Sequence, residues 1–417
     1  MSHEPRRVVI TGLGAVTDLG VGASTLWDAL SNGRSGITTI TAFEQNEDWT
    51  TTIAGEASEF DPLLTLSAPE ARKVDRACQM GIAAAVEASE DSGLDLTQGD
   101  PYRRGVAVGS GIGGILTIET HYERLLEKGP KRLSPFVVPK LMVNATAGQI
   151  SIRLNLRGCN TSMATACATG GHAIADAYMM IQRGMADVMF AGGTEAAVSR
   201  LCIAAFSAMK ALSTRNDNPE QASRPFDKDR DGFVLAEGSA IVVLEDYEHA
   251  KSRGARIYAE LVGFGITGDA HHIAAPDPEG TGAGKAMEIA MTSGAVNPTD
   301  VGYINAHGTS TPLGDAAEVA AVKRVFGDHS RDLAMSSTKS MTGHALGAAG
   351  GIESVATIMA LHHGVLPPTI NLENPDEGMD LDFVANEAQE RTVNAAINNT
   401  FGFGGHNVSL IFKRFCE

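Results

Sequence analysis

Three short apolar segments that each end in glycine occur twice along this chain, in the same order and at comparable spacing. The first copies are Val8–Gly14, Gly105–Gly111 and Asp187–Gly193, and the second copies are Ala259–Gly265, Val301–Gly308 and Ala395–Gly402. Short aliphatic runs that stop at glycine are typical of buried strands. The repeat predicts two similar halves, residues 1–254 and 255–417, joined in a tight turn near Arg253–Arg256.

Helical patterns alternate with these strands. Asp75–Ser92 is predicted to be a helix that ends at Gly93, Val138–Leu154 is also predicted to be helical, and Ile352–His362 is a strongly apolar, Ala-rich helix. Alternation of strands and helices indicates an α/β fold with mostly parallel strands. Equivalent loops of two such halves are expected to converge on one site.

Charge and cysteine content exclude several classes of protein. The net charge of −17 argues against binding of nucleic acid or acidic membranes. The five cysteines are scattered and form no CxxC pair, which indicates a reducing compartment rather than a disulfide framework. Met1–Arg7 lacks the apolar region of a signal peptide, and no stretch is long enough to span a membrane. We expect a cytoplasmic protein.

Cys167 lies in the small-residue stretch Ser162–Gly171, just before a predicted helix. The unpaired N–H groups and the dipole at a helix N-terminus favour an anion, so this placement is expected to lower the pKa of the thiol. Cysteine is also among the most frequently buried residues. This stretch alone leaves both interpretations of Cys167 open, a catalytic nucleophile and a core residue.

The second half carries the polar candidates. His307 follows a predicted strand, at the end where open α/β sheets place ligand groups, and His344 lies in a loop of small residues. A neutral imidazole can donate to a developing oxyanion or enolate while a thiolate takes an acyl group. Lys339 and Glu353 lie in apolar, glycine-rich surroundings, where buried charges would need each other or a histidine.

Four motifs in this order resemble the β-ketoacyl-acyl-carrier-protein synthases over the full chain, most closely the elongating type of bacterial fatty-acid synthesis. They are Thr165–Cys167, Asn305–Asp315, Lys339–His344 and Gly402–Gly405. The segments Ala222–Asp227 and Arg230–Val234 match as well. The resemblance implies a thiolase-like, five-layer αβαβα fold built from two similar halves.

The resemblance also implies a mechanism. Cys167 would accept a fatty acyl group from acyl carrier protein as a thioester. Malonyl carrier protein would lose CO₂, His307 and His344 would stabilise the enolate, and its attack on the thioester would give a 3-oxoacyl product. The backbone N–H groups of Cys167 and Phe403 would hold the oxyanion. No metal or redox cofactor is implied, although relatives bind a monovalent cation, here expected near Asn305, Glu353 and Asn399.

Further roles follow from the same resemblance. Lys339 would act electrostatically and structurally, positioned with Glu353, and Phe403 would gate the acyl pocket between Gly402 and Gly404. The remaining expectations are Thr309 and Thr311 on the phosphopantetheine arm, Ile112 at the depth of the acyl pocket, Asp269 in the loop beside the gate, Phe401 next to the gate, and Asp315 as structural support.

Acyl carrier protein and a second copy of this chain are the implied partners. The acidic carrier would meet a basic patch, whose candidates are Arg72, Lys73, Lys131, Arg132 and Lys210. The apolar segment Asp187–Ala197 is expected to continue the sheet across the dimer. The chain departs from the family pattern at Pro69, Lys210 and His406, and we do not interpret His406 as a loss of activity.

Other functions remain in competition. A discrete polyketide ketosynthase would share the Cys–His–His set, whereas a non-catalytic acyl-chain-binding partner would lack the nucleophile. Two other functions are disfavoured: a thiolase needs a second cysteine in the C-terminal glycine loop, which has His406 instead, and an initiating synthase is expected to carry Asn in place of His344. Gly109–Gly114 formally fits GxGxxG but lacks a clear acidic partner, and Asp227–Gly238 lacks the closing Glu of a calcium loop. No metal site is expected.

Overall fold

The computed structural model describes residues 5–416. Met1–Glu4, which open the N-terminal stretch discussed above, and Glu417 lie outside the described residues. Strands and helices follow one another in two successive sets, one in each half of the chain. The turn predicted between the halves connects the last helix of the first set to the first strand of the second.

The strands of the N-terminal half are β1 (Val8–Thr17), β2 (Gly20–Val21), β3 (Ile37–Thr39), β4 (Ile53–Gly55), β5 (Arg104–Gly109), β6 (Asn160–Thr161), β7 (Val188–Glu195) and β8 (Gly238–Asp246). Its helices are α1 (Ala23–Ser31), α2 (Ala68–Ala71), α3 (Arg76–Ser92), α4 (Ile115–Lys128), α5 (Val137–Leu141), α6 (Ala145–Leu154), α7 (Thr169–Gln182), α8 (Arg200–Ala208) and α9 (Tyr247–Ser252).

The strands of the C-terminal half are β9 (Ala259–Gly268), β10 (Val301–Asn305), β11 (Ala334–Ser336), β12 (Val365–Leu366), β13 (Gln389–Glu390), β14 (Ala395–Gly402) and β15 (His406–Arg414). Its helices are α10 (Thr281–Ser293), α11 (Pro312–Phe326), α12 (Lys339–Thr342) and α13 (Ala349–His363).

One sheet runs through both halves in the order β6-β5-β7-β8-β1-β9-β15-β14-β10-β11. Each half contributes the same arrangement, with its first strand beside its last, so that β1, β5 and β7 correspond to β9, β10 and β14. These are the three strand pairs that the repeat predicts. The halves join where Val8–Ile10 pairs antiparallel with Ala259–Leu261.

Two expectations about strand pairing are corrected. The sheet is mixed rather than mostly parallel, because β8 and β15 run antiparallel to their neighbours. The turn Phe403–Gly405 between β14 and β15 is too short for anything but an antiparallel pair. The segment Asp187–Ala197 cannot extend the sheet into a partner, because β7 lies between β5 and β8 and has no free edge. The free edge of the N-terminal half belongs to β6.

Helices complete five layers. α7 and α13 lie in the middle, where each packs against strands of both halves. α3 and α6 cover the outer face of the N-terminal strands, while α10 and α11 cover the outer face of the C-terminal strands. Every residue of α13 from Ala349 to Leu361 is buried, as expected for a helix that is apolar on all sides. The αβαβα fold implied by the resemblance is confirmed.

Local sequence signals place most helix ends correctly. The Asp75 side chain accepts a hydrogen bond from the Ala77 N–H at the start of α3, and Gly93 ends that helix with φ +64°. The single helix predicted over Val138–Leu154 is instead split into α5 and α6, because Met142 takes an extended conformation (ψ 138°). Within residues 5–416, no helix is both long and apolar enough to cross a membrane.

Candidate active site

Cys167 lies on a tight turn at the entrance to α7, and we call the turn Thr165–Ala168 the Cys elbow. Ala166 takes the left-handed conformation (φ +50°), which turns the chain from the preceding segment into the helix. The Thr169 hydroxyl secures this turn, since it accepts from the Thr165 N–H at 2.8 Å and donates to the Ala166 carbonyl at 2.7 Å. The Cys elbow thus holds the sulfur at the helix N-terminus, as predicted.

The C-terminal half contains an equivalent turn at the entrance to α13, His344–Ala348, which we call the His elbow. Leu346 has φ +45°, and Gly347 takes the place that Cys167 has in the first half. The two elbows approach closely because glycines line the contact between α7 and α13. A Cβ at Gly350 would lie 2.4 Å from the Gly171 nitrogen. The absence of side chains there allows the two elbows to face each other.

Cys167, His307 and His344 meet in one cavity. The His344 Nε2 lies 3.0 Å from the Cys167 Sγ, and the centroids of the two imidazole rings are 5.4 Å apart at an interplanar angle of 86°. These residues come from three separate loops, and the two halves together supply them. This geometry favours the nucleophile interpretation of Cys167 over the core-residue interpretation.

Burial governs protonation in this cavity. Desolvation raises the pKa of the Cys167 thiol to about 12, although the Lys339 charge and the Phe403 N–H both act to lower it. The sequence-based expectation of a lowered pKa is therefore wrong, because burial outweighs the helix N-terminus. Desolvation, aided by Lys339, places the pKa of His307 and of His344 well below the usual value. The resting site holds a neutral thiol beside two neutral imidazoles.

Lys339 and Glu353 form a buried ion pair behind the histidines, and their side chains are 1% and 2% exposed. The Lys339 Nζ also donates to the His307 carbonyl at 2.6 Å, so the pair fixes the loop that carries His307. Burial raises the pKa of Glu353 to about 7, against the opposing charge of Lys339. Lys339 and Glu353 therefore neutralise each other, as expected for two charges in apolar surroundings.

Glu318, which no sequence motif singles out, also supports His307. Its carboxylate accepts from the backbone N–H groups of His307 at 2.9 Å and Gly308 at 2.8 Å, and from the Asn399 amide at 3.1 Å. Desolvation raises the pKa of Glu318 to about 7, and these hydrogen bonds act in the opposite direction. Glu318 is an ordinary helical residue in the sequence of α11, so only the fold reveals this role.

Glutamine at position 318 is expected to flatten the dependence of stability on pH. Because burial raises the pKa of Glu318 from 4.5 to about 7, the folded protein retains a proton there that the unfolded chain releases. Its contribution to stability is present below pH 4.5 and is lost as the pH rises toward 7. Thermal unfolding midpoints across this window should fall less steeply in Glu318→Gln than in the wild type. Equal slopes would contradict the prediction, and the exposed Glu288→Gln serves as a control.

The cavity has a volume of about 660 Å³. Besides the three central residues, its lining contains many of the predicted substrate-binding and gating residues. These are Ile112, Lys210, Asp269, Thr309, Thr311, Phe401, Gly402 and Phe403. Lys339, Glu353, Asp315 and Gly404 do not line it. Asp315 lies instead behind the Thr311 loop, where its carboxylate accepts from the Phe226 N–H at 2.9 Å.

The glycine loop after β14 packs directly on the Cys elbow. A Cβ at Gly402 would lie 3.2 Å from the Cys167 nitrogen, so glycine permits this contact. The following Phe403 lines the same cavity as Cys167, and its backbone N–H acts to lower the pKa of that thiol. The loop is joined to the segment after β9, since Asp269 accepts from the Asn407 amide at 2.6 Å and its N–H donates to Gly405 at 2.9 Å. The two loops form one wall of the cavity.

The five basic residues predicted for the carrier patch do not surround a single cavity. Lys210 lines the active-site cavity, whereas Arg72 lines a separate hollow of about 390 Å³ together with His121 and Lys140. The Lys73 ammonium lies over the Phe136 ring. Lys131 and Arg132 are exposed in the turn that follows α4.

The residues expected around a monovalent cation fit it in part. Both side-chain polar atoms of Asn305 and one carboxylate oxygen of Glu353 are buried without a hydrogen-bond partner among the described residues. The side-chain amide of Asn399 already forms hydrogen bonds, since its oxygen accepts from Ser409 and its nitrogen donates to Glu318, and the oxygen keeps a second lone pair. Asn398 lies beside Asn305 in the sheet and has a free amide oxygen. No cluster of three His, Cys, Asp or Glu suited to a metal ion is found within residues 5–416.

Several proteins are similar to this chain in sequence and fold. A protein from Coxiella burnetii named 3-oxoacyl-[acyl-carrier-protein] synthase 2 is 52% identical over 99% of each chain. One of the same name from Vibrio harveyi is 51% identical over 99% of each chain. The crystal structure of a β-ketoacyl synthase from Burkholderia phymatum matches 99% of this chain and 100% of that one at 36% identity, with a TM-score of 0.91.

A polyketide ketosynthase solved in complex with its acyl-carrier protein also matches, at 33% identity and a TM-score of 0.91 over 99% of this chain and 100% of that one. The family model of the β-ketoacyl synthase N-terminal domain matches residues 5–250, and that of the C-terminal domain matches residues 258–373. The chain belongs to the β-ketoacyl synthase family.

Proposed function

We propose that this protein is an elongating 3-oxoacyl-acyl-carrier-protein synthase. It joins a Cys167-bound fatty acyl group to the two carbons left when malonyl carrier protein loses CO₂. The observation that carries the proposal is the 3.0 Å contact between the Cys167 Sγ and the His344 Nε2 in a cavity that also contains His307. The names of the full-length relatives support the same reaction.

In the first half-reaction, the Cys167 sulfur attacks the thioester carbonyl of acyl carrier protein. The thiol is neutral at rest, so its proton leaves as the C–S bond forms, and the His344 Nε2 at 3.0 Å is placed to receive it. The carrier thiolate departs and takes up one proton, and His344 releases its Nδ1 proton in exchange, so the ring is neutral again and now carries its proton on Nε2. The N–H groups of Phe403, which lines the cavity, and of Cys167 itself are the donors proposed for the oxyanion.

In the second half-reaction, the bond between the malonyl methylene and its carboxylate breaks, and CO₂ departs. The electron pair moves into an enolate, whose oxygen accepts hydrogen bonds from His307 and His344. Both imidazoles are neutral, since burial and Lys339 hold the pKa of each well below its usual value. A neutral imidazole still has one N–H group that can donate a hydrogen bond to the enolate oxygen. The enolate carbon then attacks the acyl thioester, the Cys167 thiolate leaves, and it takes up one proton from solvent to restore the neutral resting thiol.

Supporting residues hold this arrangement. Lys339 fixes the His307 loop from one side and Glu318 fixes it from the other. Thr309 and Thr311, whose hydroxyls lie 3.0 Å apart on the cavity wall, are proposed to bind the phosphopantetheine arm, and Ile112 is proposed to limit the acyl chain. A monovalent cation, held by Asn305, Asn398 and the free oxygen of Glu353, would neutralise buried oxygen atoms behind the site.

Incubation with myristoyl and malonyl carrier proteins tests the proposal directly. We expect stoichiometric CO₂ and a 3-oxoacyl carrier protein that is two carbons longer, detected by intact mass. Release of CO₂ without a longer product would contradict condensation. Repeated extension of a 3-oxoacyl carrier would favour the polyketide alternative, which the fold shared with polyketide ketosynthases keeps in consideration.

A homodimer is proposed on the basis of an exposed apolar stripe. Ile118, Tyr122 and Leu126 lie four residues apart on α4 and are 40%, 60% and 69% exposed, and Val138 of the contacting helix α5 is 62% exposed. Apolar side chains aligned on one face of a helix indicate an interface. The free edge of β6 belongs to the same half, and it replaces β7 as the candidate for sheet extension.

The Leu126→Asp variant is expected to lower the mass in solution from that of two chains to that of one, because a charge in the stripe must be desolvated on association. Analytical ultracentrifugation at micromolar protein gives the readout. Leu64→Asp, at a position that is 66% exposed outside the stripe, is the matched control and should leave the dimer intact. A monomeric wild type would contradict the proposal.

Acyl carrier protein is proposed as the partner that delivers both substrates. Lys210 at the cavity and the Arg72 hollow supply positive charge on an otherwise acidic protein. A reducing, cytoplasmic location is proposed because all five cysteines are free, including the exposed Cys416.

A further inference from the structure

Glu195 is a fully buried carboxylate that the mechanism above does not use. It is the last residue of β7 and is 0% exposed. Among the described residues it forms no ion pair, and its two oxygens accept hydrogen bonds from four neutral donors. A carboxylate held in this way needs each donor, because any unpaired oxygen would carry the full cost of desolvation. Such a costly residue at the carboxyl end of a central strand calls for a reason.

The donors to Glu195 come from both halves of the protein. On one side are the Ser110 hydroxyl at 2.7 Å and the N–H groups of Gly111 at 2.7 Å and Ile112 at 3.3 Å. They belong to the segment Ser110–Ile112 after β5, which we call the acyl-pocket loop because Gly111 and Ile112 line the cavity. On the other side is the N–H of Gly347 in the His elbow, at 3.1 Å. One carboxylate therefore binds the acyl-pocket loop and the His elbow together.

The packing around Glu195 leaves no room for a side chain at the glycines beside it. A Cβ at Gly347 would lie 2.4 Å from the Gly111 nitrogen and 2.7 Å from the Glu195 carboxylate. A Cβ at Gly193, two residues before Glu195, would lie 2.1 Å from the Gly347 carbonyl. Backbone from the two halves is thus in direct contact, and the carboxylate is enclosed at the junction.

We propose that Glu195 is a positioning residue that sets the acyl-pocket loop against the His elbow and so couples acyl-chain selection to condensation. The proposal rests on the proposed function. Ile112 contacts the space that an acyl chain enters, while His344 at the other end of the link lies 3.0 Å from the Cys167 sulfur. Without the carboxylate, neither the acyl-pocket loop nor the His elbow is held in place by position 195. A longer acyl chain contacts more of the cavity wall, so its use suffers more than that of a short chain.

The test compares wild type with Glu195→Gln in kcat/KM for myristoyl and hexanoyl carrier proteins, each with malonyl carrier protein. Glutamine keeps the volume but turns an NH₂ group toward donors. We expect the myristoyl-to-hexanoyl ratio to fall about tenfold, since sub-ångström misplacement at a reacting centre has effects of this size. A purely structural role would lower both rates together and leave the ratio unchanged, and that result would overturn the proposal.

The matched control is Glu245→Gln, which neutralises another carboxylate with 0% exposure, on β8 outside the cavity lining. Its ratio should equal that of the wild type. If Glu195→Gln does not fold, Ser110→Ala decides, because it removes a single donor to Glu195; a smaller fall in the ratio supports the proposal and an unchanged ratio overturns it. A wild type without 3-oxoacyl product would instead refute the proposed function itself.

Discussion

Replacing Cys167 with alanine is expected to reduce condensation by at least about 10⁴-fold, because removal of a catalytic nucleophile eliminates the covalent route. The variant cannot form the acyl thioester. Its mass should stay unchanged after incubation with acyl carrier protein, whereas the wild type gains one acyl group. Malonyl decarboxylation should persist, because His307, His344 and Lys339 are untouched by the substitution.

Cys202 provides a matched control for this experiment. It is 7% exposed, against 6% for Cys167, and it belongs to the same apolar cluster. Cys202→Ala should retain acylation and condensation, which separates the loss of a particular sulfur from the loss of a buried cysteine. An acylated Cys167→Ala protein would place the nucleophile elsewhere and would contradict the mechanism.

Methionine at position 339 is expected to lower the free energy of unfolding by about 3–5 kcal/mol at pH 8, the usual cost of leaving one buried charge without its partner. Glu353 would lose its cation and the His307 carbonyl would lose a donor. At pH 5 the loss should be smaller, because burial already raises the pKa of Glu353 to about 7 and a protonated carboxyl needs no cation. Denaturant unfolding at the two pH values measures both effects.

An exposed pair gives the comparison for Lys339. Lys285 and Glu288 are 62% and 47% exposed, so Lys285→Met should change stability by less than about 1 kcal/mol. Adding Glu353→Gln to Lys339→Met should recover part of the loss, because it removes the orphaned charge. Equal destabilisation by Lys339→Met and Lys285→Met would show that the buried pair is unimportant for folding.

The sequence revealed the residues that chemistry requires to be unusual. Cys167, His307 and His344 stand among glycines and alanines, and their combination in the order of four family motifs, rather than any one of them, pointed to a shared site. The repeat of strand and glycine was equally informative, because it survives as three pairs of equivalent strands. Each signal can be recognised within a short segment of the sequence, and such segments keep their structure in the fold.

Residues that act through long-range contacts were not visible in the sequence. Glu318 is an unexceptional residue of a helix until the fold places it under His307. Glu195 was not singled out in the sequence; its place at the end of a strand, where ligand groups gather in α/β sheets, is the one local signal that could have indicated it. The pKa of Cys167 was predicted in the wrong direction because the depth of burial depends on all the elements that cover it. The sequence of β7 likewise does not reveal that β5 and β8 are its neighbours in the sheet.

The pairing of β1 with β9 decides how substrates reach the sulfur. Hydrogen bonds cross from one half to the other there, and α7 and α13 each hold strands of both. The molecule therefore has no hinge and cannot open like a clamshell. For the proposed reaction, entry of a long acyl chain and departure of product would then have to use local motion of the loop at 402–405, where Gly404 and Gly405 have positive φ. Under that proposal, access to the sulfur depends on a few backbone torsions rather than on movement of whole domains.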